Sequence, residues 1–199
     1  MWNVNPVSTP MVPGLHLIPA PSPQSLEDAE YMKDKAYMRA IGKLNYLALG
    51  TQPDISFTTS TLARFSSNPG PEHWRAVKHL FRYIKGTMDY KLTYGRTPHP
   101  TAFLSYSDAD YAGDQDKARS TSGWVILMGG GAVSWSSKLQ TRVAESTTES
   151  EYIPKEMAPF RWVLEDIGYK VELPILLGMD NQSAIAAAEN PEHQGHMKI

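Results

Sequence analysis

The chain has 199 residues, of which 19 are Lys or Arg and 21 are Asp or Glu, so its formal net charge is −2. Hydrophobic residues make up 41% of it and charged residues 20%, which is typical of globular proteins and excludes a disordered chain or a strongly basic tail. Purely apolar runs such as Trp124 to Met128 are far shorter than the roughly 20 residues of a membrane span, so we expect no membrane partner. Cysteine is absent, which removes disulfides, thiolate zinc sites and cysteine nucleophiles.

The charge is divided unevenly between the two halves of the chain. Residues 1–100 hold 11 basic and 7 acidic side chains, a net charge of +4, whereas residues 101–199 hold 8 and 14, a net charge of −6. The acidic residues of the second half cluster along the chain, as Asp108, Asp110, Asp114 and Asp116 and then as Glu145, Glu149 and Glu151, with Asp180 further on. Such clusters indicate either solvated loops or a metal site.

The first half begins with a proline-rich stretch and continues with helical patterns. Residues 5–23 contain six prolines, so we expect residues 1–30 to form an extended tether on a surface. Residues 31–95 read as a helical region with Pro53 and Pro71 as start signals and Gly86 as a stop signal. Three sets of residues recur at helical spacing: Tyr37, Ile41, Leu44 and Ala48; Ile55, Thr59, Leu62 and Phe65; and Trp74, Val77, Phe81 and Ile84.

The third predicted helix also carries a row of basic residues. Arg75, Lys78, Arg82 and Lys85 follow the apolar row with an offset of one residue, which is about 100° around the helix axis. The row predicts either a surface that contacts nucleic-acid phosphates or a solvated face whose aliphatic stems cover the apolar row.

From residue 101 onward the pattern changes to short strands. The first predicted strand is Phe103–Ser107, which ends at Asp108, and two more strands at Gly123–Met128 and Ala132–Ser136 flank a turn at Gly129 to Gly131. A helix is predicted from the Ser146 cap to about Ile167, closed by Gly168. A strand at Pro174–Met179, which ends at Asp180, and a helix at Asn181–Glu189 follow. This order predicts an α/β domain in which an antiparallel meander leads into one helical crossover.

Three acidic residues lie where the predicted strands and helices meet. Asp108 and Asp180 follow strands, and Glu151 lies near the start of the long helix. Converging carboxylates repel one another unless a cation neutralises them, and their hard oxygen atoms suit Mg²⁺ or Mn²⁺. The alternative is that each acid merely caps a helix or ends a strand.

Several long sequence motifs of the second half resemble those of one known family. SYSDADYAGD, RSTSGWVILMGGGAVSWSSKLQTRVAESTTESEY and LLGMDNQSAIAAAENPEH closely resemble the ribonuclease H domain of copia-type LTR retrotransposon polyproteins. Upstream, YMRAIGKLNYLALGTQPDISF and PEHWRAVKHLFRYIKGT resemble the region that links reverse transcriptase to this nuclease. The resemblance extends, in order and without large gaps, from about residue 7 to residue 198.

The resemblance implies a ribonuclease H-like mixed sheet over residues 101–199, with a three-stranded antiparallel meander, one parallel strand and flanking helices, preceded by a helical connection region. It implies hydrolysis of the RNA strand of RNA–DNA hybrids with two Mg²⁺ or Mn²⁺ ions. Asp108, Glu151 and Asp180 would be the catalytic metal ligands, and Asn181 and Ser183 would contact the nucleic-acid backbone. The resemblance further implies a partnership with the reverse transcriptase portion of the polyprotein, inside cytoplasmic virus-like particles.

Two features depart from the family pattern, and they leave an alternative function open. We expect the domain to be truncated at its C-terminus, because the fourth carboxylate and last helix of the fold would follow Ile199. Pro154 and Pro159 fall inside the predicted long helix, where a proline costs about 3 kcal/mol. The alternative function is therefore an inactive transposon remnant that binds nucleic acid or protein. An integrase-type nuclease is disfavoured, because such enzymes place their glutamate last.

Overall fold

The computed structural model describes residues 4–22, 24–95, 104–114, 119–140, 161–169 and 176–178, and for 109–114, 119–120 and 176–178 it describes the backbone alone. The chain divides into two compact units, Met1–Lys91 and Leu92–Ile199. The first unit is helical, and the second contains a sheet, so the protein has a mixed α/β architecture. Within the described residues, no helix combines the length and the apolar character needed to cross a membrane.

The described part of the first unit is built from four α-helices and one short 3-10 helix. Their bounds are Leu26–Lys33 (α1), Tyr37–Gly50 (α2), Pro53–Ile55 (the 3-10 helix), Ser56–Ala63 (α3) and Pro71–Gly86 (α4). The three helical segments predicted from periodicity are confirmed. Pro53 and Pro71 each occupy a first helical position, where a missing amide hydrogen breaks no intrahelical bond.

Helix α1 was not predicted, and it begins inside the stretch expected to be an extended tether. Its start has a local cause, because the Ser25 hydroxyl accepts a hydrogen bond from the Asp28 amide at 3.1 Å. Glu27 and Asp28 add negative charge to the first turn, where the helix dipole favours it. Met32 is its buried residue, so this helix offers little apolar periodicity to detect.

The core of the first unit forms where the predicted apolar rows of α2 and α3 meet. The core residues of these segments are at most 4% exposed: Tyr37, Ile41, Leu44, Ala48, Ile55 and Leu62. The Tyr37 hydroxyl crosses this core and donates a hydrogen bond to the Leu62 carbonyl oxygen at 2.8 Å. Burial raises the pKa of Tyr37, so the phenol remains a neutral donor that joins α2 to α3.

Helix α4 packs against the same core, with a buried face slightly rotated from the predicted one. Its buried residues are His73, Ala76, Val77, Leu80 and Tyr83. Of the predicted row, Val77 is fully buried, whereas Trp74, Phe81 and Ile84 are partly buried at the border of the core. The predicted row therefore lies on the side of α4 that faces the core, but it does not include Leu80, which is completely buried.

Residues 4–22, called the N-terminal segment below, contain no helix or strand and pack against the helical core. Val7, Leu15 and Leu17 are partly buried against the core cluster. A turn with a hydrogen bond from the Leu15 amide to the Val12 carbonyl oxygen interrupts the segment. These contacts place the proline-rich stretch on the surface of the first unit.

The second unit contains a four-stranded sheet. The strands are Leu104–Asp114 (β1), Arg119–Met128 (β2), Gly131–Leu139 (β3) and Leu176–Gly178 (β4). Their order in the sheet is β3-β2-β1-β4; β1, β2 and β3 pair antiparallel, and β4 pairs parallel with β1. A parallel pair of this kind is typical of a crossover connection, whereas antiparallel neighbours can be joined by hairpins.

The β2–β3 hairpin confirms the turn predicted from the glycine run. Met128 pairs with Gly131, and the two residues between them, Gly129 and Gly130, have φ angles of 60° and 82°. Two consecutive left-handed residues are characteristic of the type I′ turn that suits the twist of a hairpin. Gly131 is needed for a different reason, since a Cβ atom there would lie 2.7 Å from the Thr93 carbonyl oxygen.

Of the long helix predicted for the second unit, residues 161–166 are helical in the structure. Gly168 closes it with a φ of 83°, while its amide donates to the Glu165 carbonyl and the Tyr169 amide donates to the Leu164 carbonyl. This pattern is a Schellman motif, so the predicted closure at Gly168 is confirmed. The predicted start at Ser146, with Glu151, Pro154 and Pro159, lies outside the described residues, as does the predicted helix 181–189.

Candidate functional site

Asp108 is the predicted site residue whose side chain the structure places within the sheet. It lies in the middle of β1, which continues to Asp114, so the prediction that the strand ends at Asp108 is wrong. The strand continues because β2 supplies pairing partners as far as Arg119, across a register shift between Asp110 and Asp114. Such irregularities bend a strand and are frequent next to active sites.

The Asp108 side chain lies on the exposed face of β1. Exposure alternates along the strand, with Leu104, Tyr106 and Asp108 exposed and Ser105 and Ser107 buried. The residue opposite Asp108 on β2 is Gly123, which has no side chain to cover the carboxylate. An exposed carboxylate is accessible to a cation or a substrate.

Strand β4 lies directly beside this part of β1. The described pairs run from Leu104 with Leu176 to Tyr106 with Gly178, and the partners in each pair are 72 positions apart in the sequence. Asp108 and Asp180 have the same separation, and each follows its strand's last described pair by two residues. Asp180 itself lies outside the described residues, together with Glu151, Asn181 and Ser183, so their convergence on Asp108 remains a prediction.

The metal site also remains a prediction. Within the part of the chain that the structure describes, no three His, Cys, Asp or Glu side chains lie close enough to hold one metal ion. Of the three predicted ligands, this part contains Asp108 alone.

The predicted basic row on α4 is divided between two environments. Arg75 is exposed and its Nη1 lies 3.4 Å from Oε1 of Glu72, a pair that contributes little because both side chains are about two-thirds exposed. Lys78 is half-buried. Arg82 and Lys85 are also half-buried, and each donates a hydrogen bond to a carbonyl oxygen of the N-terminal segment.

Two histidines of α4 also bind the N-terminal segment, and the basic row alone did not reveal them. His79 donates from Nε2 to the Thr9 carbonyl oxygen at 2.9 Å. His73 donates from Nε2 to the Ile18 carbonyl oxygen at 3.0 Å, while its Nδ1 accepts the Gly70 amide hydrogen at 2.8 Å. The signal that could have revealed His79 is its spacing, because residues 79, 82 and 85 follow at intervals of three and share one face.

Burial determines the protonation state of His73. Desolvation is the largest effect and lowers its pKa below the usual value of 6.5, although the hydrogen bond to Ile18 and the charge of Glu72 act in the opposite direction. The Gly70 amide can donate only to an unprotonated Nδ1, which requires the neutral ring. His73 is therefore a neutral residue that joins the start of α4 to the N-terminal segment.

Comparison with known proteins finds relatives over the whole chain. It is 38% identical over 203 residues to the retrovirus-related Pol polyprotein from transposon TNT 1-94 of Nicotiana tabacum, covering all of this chain and 15% of that protein. It is 35% identical over 205 residues to the corresponding polyprotein from transposon RE1 of Arabidopsis thaliana, covering all of this chain and 13% of that protein. The chain thus spans about one seventh of the polyproteins that it matches.

A shorter relative is similar to part of the chain. The secreted RxLR effector protein 161 of Plasmopara viticola is 43% identical over 122 residues, which are 61% of this chain and 85% of that protein. No family model matches the chain, and no solved structure matches it. The identities over the whole of this chain agree with the family resemblance of its sequence motifs. The chain belongs to the Pol polyproteins of copia-type retrotransposons, one region of which it matches.

Proposed function

We propose that this region of the polyprotein is a ribonuclease H that hydrolyses the RNA strand of RNA–DNA hybrids. The observation that carries the proposal is the position of Asp108, an exposed carboxylate in the central part of β1, beside the parallel strand β4. A three-stranded antiparallel meander extended by one parallel strand is the sheet that the family resemblance implied. Membership of the Pol family supports a role in retrotransposition.

The shared register of β1 and β4 supports a common site for two of the proposed ligands. If the parallel pairing continues for two more residues, Asp108 and Asp180 become direct neighbours across the two strands. Neighbouring residues in adjacent strands have side chains on the same face, about 5 Å apart. Two carboxylates at that distance repel each other, and a divalent cation between them removes the repulsion.

The donor set fits Mg²⁺ or Mn²⁺, since carboxylate oxygens are the ligands that these hard cations prefer. We propose that Asp108, Glu151 and Asp180 hold two such ions. When bound, two such metal ions would supply a water nucleophile at neutral pH and stabilise the leaving oxygen of a phosphodiester. Gly123, opposite Asp108, has no side chain that would compete with the scissile phosphate for the space beside this carboxylate.

The remaining proposed contacts orient the substrate. Arg75, Lys78, Arg82 and Lys85 would bind phosphates of the hybrid, and Asn181 and Ser183 would contact its backbone near the site. Phosphate contacts of this kind position a duplex without reading its sequence, which suits an enzyme that must degrade any RNA copied into DNA. The reverse transcriptase portion of the polyprotein is the proposed partner, and cytoplasmic virus-like particles are the proposed location.

The test is cleavage of an RNA–DNA hybrid labelled on its RNA strand, with Mg²⁺ or Mn²⁺. We expect cleavage by the wild type and a loss of about a hundredfold or more in Asp108→Asn, because metal-ion stabilisation of the transition state is worth several kcal/mol. Asp89→Asn removes an exposed aspartate of the first unit and serves as the matched control. Absence of cleavage by a folded wild type would refute the proposal and leave the inactive-remnant alternative.

A further inference from the structure

Three side chains on one face of α4 hold the N-terminal segment by its main chain. The hydrogen bonds run from Lys85 Nζ to the Val4 carbonyl oxygen at 2.9 Å, from Arg82 Nε to the Asn5 carbonyl oxygen at 2.7 Å, and from His79 Nε2 to the Thr9 carbonyl oxygen at 2.9 Å. Successive donors are one turn apart on the helix, and their acceptors lie along residues 4–9. This part of the N-terminal segment therefore lies along α4 and is bound through carbonyl groups that every residue type possesses.

The same contacts occupy two of the four cations of the predicted nucleic-acid surface. A carbonyl oxygen is a neutral acceptor, whereas a phosphate oxygen carries a negative charge that adds a Coulombic attraction to its hydrogen bonds with Arg and Lys. The N-terminal segment has the compensating advantage that it belongs to the same chain, so it binds without loss of translational freedom. Main-chain carbonyls and phosphates are thus alternative ligands for Arg82 and Lys85.

We infer that residues 4–9 act as an intramolecular competitor of nucleic acid on α4, covering Arg82 and Lys85 until the phosphate backbone of a duplex displaces them. The inference rests on the proposed function for the identity of the ligand, an RNA–DNA hybrid. It goes beyond that function because it makes binding depend on the position of the N-terminal segment. The Asp108 carboxylate has no part in it.

An engineered disulfide between positions 6 and 86 can fix the N-terminal segment on α4. A Cβ atom built on Gly86 lies 3.0 Å from Cβ of Pro6, close to the 3.5–4.5 Å that disulfides span, so a small shift of the exposed Pro6 accommodates the bond. Because the natural chain has no cysteine, the double variant Pro6→Cys/Gly86→Cys forms a single possible disulfide. It leaves Arg82 and Lys85 unchanged. Oxidation locks the segment on α4, and reduction leaves it held by its hydrogen bonds alone, so that a ligand can displace it.

The experiment measures the affinity of the full chain for a labelled RNA–DNA hybrid in EDTA, which prevents cleavage, with the double variant oxidised or reduced. We expect the reduced form to bind about tenfold more tightly than the oxidised form, the factor given by a segment that leaves the cations free about a tenth of the time when it is reduced and about a hundredth of the time when it is locked. The affinity of the reduced form should also fall more steeply with salt concentration. In a plot of the logarithm of the binding constant against the logarithm of salt concentration, its slope should be steeper by about 1.8, which corresponds to two additional phosphate contacts.

Two controls separate the lock from its side effects. The wild type lacks thiols, so reductant should leave its affinity unchanged. The single variant Gly86→Cys adds the side chain without the lock and should behave alike with and without reductant. Mass spectrometry after thiol alkylation shows whether the disulfide forms, and failure to form under oxidation would contradict the placement of residues 4–9 along α4.

The outcomes distinguish this inference from the proposed function. Equal affinity and equal salt slope in the two redox states would overturn the inference while leaving Asp108-dependent cleavage untouched. Absence of hybrid binding in both states would overturn it as well, because α4 would then have no phosphate ligand to exchange. Redox-dependent binding without cleavage by the wild type would support the inference and refute the nuclease.

Discussion

Replacing His73 tests how the start of α4 is held. The ring is 2% exposed, its Nδ1 accepts the Gly70 amide hydrogen and its Nε2 donates to the Ile18 carbonyl oxygen. It also stacks on Phe65, with ring centroids 4.1 Å apart. His73→Ala removes all three interactions at once, and His73→Gln keeps a side chain that can reach back to the Gly70 amide, as glutamine does at this position in capping boxes.

The expected loss of stability follows from these contacts. Loss of the cap costs about 1 kcal/mol, the buried amide left unpaired costs about 1–3 kcal/mol, and the ring stacking is worth about 0.5–1.5 kcal/mol. Because the cap and the unpaired amide overlap, we expect His73→Ala to lower the free energy of unfolding by about 3 kcal/mol. His73→Gln should lose about 1 kcal/mol, since it retains the amide acceptor.

The same residue predicts a pH dependence. The folded protein binds the His73 proton less readily than the unfolded chain, whose pKa is 6.5, because burial lowers the pKa in the folded state. This contribution to stability is complete above pH 6.5 and is lost as the pH falls from 6.5 toward the lowered value. Urea unfolding followed by far-UV circular dichroism, above and well below pH 6.5, measures both effects.

His16→Gln is the matched control, because His16 is an exposed histidine of the same unit. It should leave both the stability and its pH dependence as they are in the wild type. The reasoning fails if His73→Gln retains the full acid-induced loss of stability, or if His73→Ala is as stable as the wild type.

Two further substitutions test the packing of each unit. Leu44→Ala should lower the free energy of unfolding by about 3–5 kcal/mol in the same urea assay, because Leu44 is completely buried, while Leu49→Ala, at a position 77% exposed, should change it by less than about 0.5 kcal/mol. Gly131→Ala should lower the melting temperature followed by near-UV circular dichroism, because its Cβ would lie 2.7 Å from the Thr93 carbonyl oxygen. Gly123→Ala, with no atom closer than 3.9 Å, should change it little, and equal melting temperatures for the two glycine variants would contradict the packing argument.

Periodicity and turn chemistry determined the elements whose causes are local. The rows of α2 and α3 are visible because one residue in every three or four must face the core. The hairpin at Gly129 and Gly130 and the closure at Gly168 are visible because left-handed backbone angles favour glycine. Each of these features is encoded within a few consecutive residues.

Tertiary contacts decided the features that adjacent residues do not encode. Strand β1 extends past Asp108 because β2 supplies partners for it as far as the pair of Asp114 with Arg119. The parallel neighbour of β1 comes from residues 176–178, more than 70 positions away. The pairing of β1 with β2, not the local sequence, places Asp108 inside the sheet rather than at a strand end.

The basic row of α4 shows the same division. Its four cations and their common face follow from the sequence and the helical repeat. The hydrogen bonds of Arg82 and Lys85 to the main chain of residues 4 and 5 are visible in the tertiary structure alone. Every residue has a carbonyl acceptor, so the sequence does not indicate which carbonyl groups these side chains bind. The sequence by itself determined the family and the charges of this surface, and the tertiary structure decided which of those charges the chain's own N-terminal segment occupies.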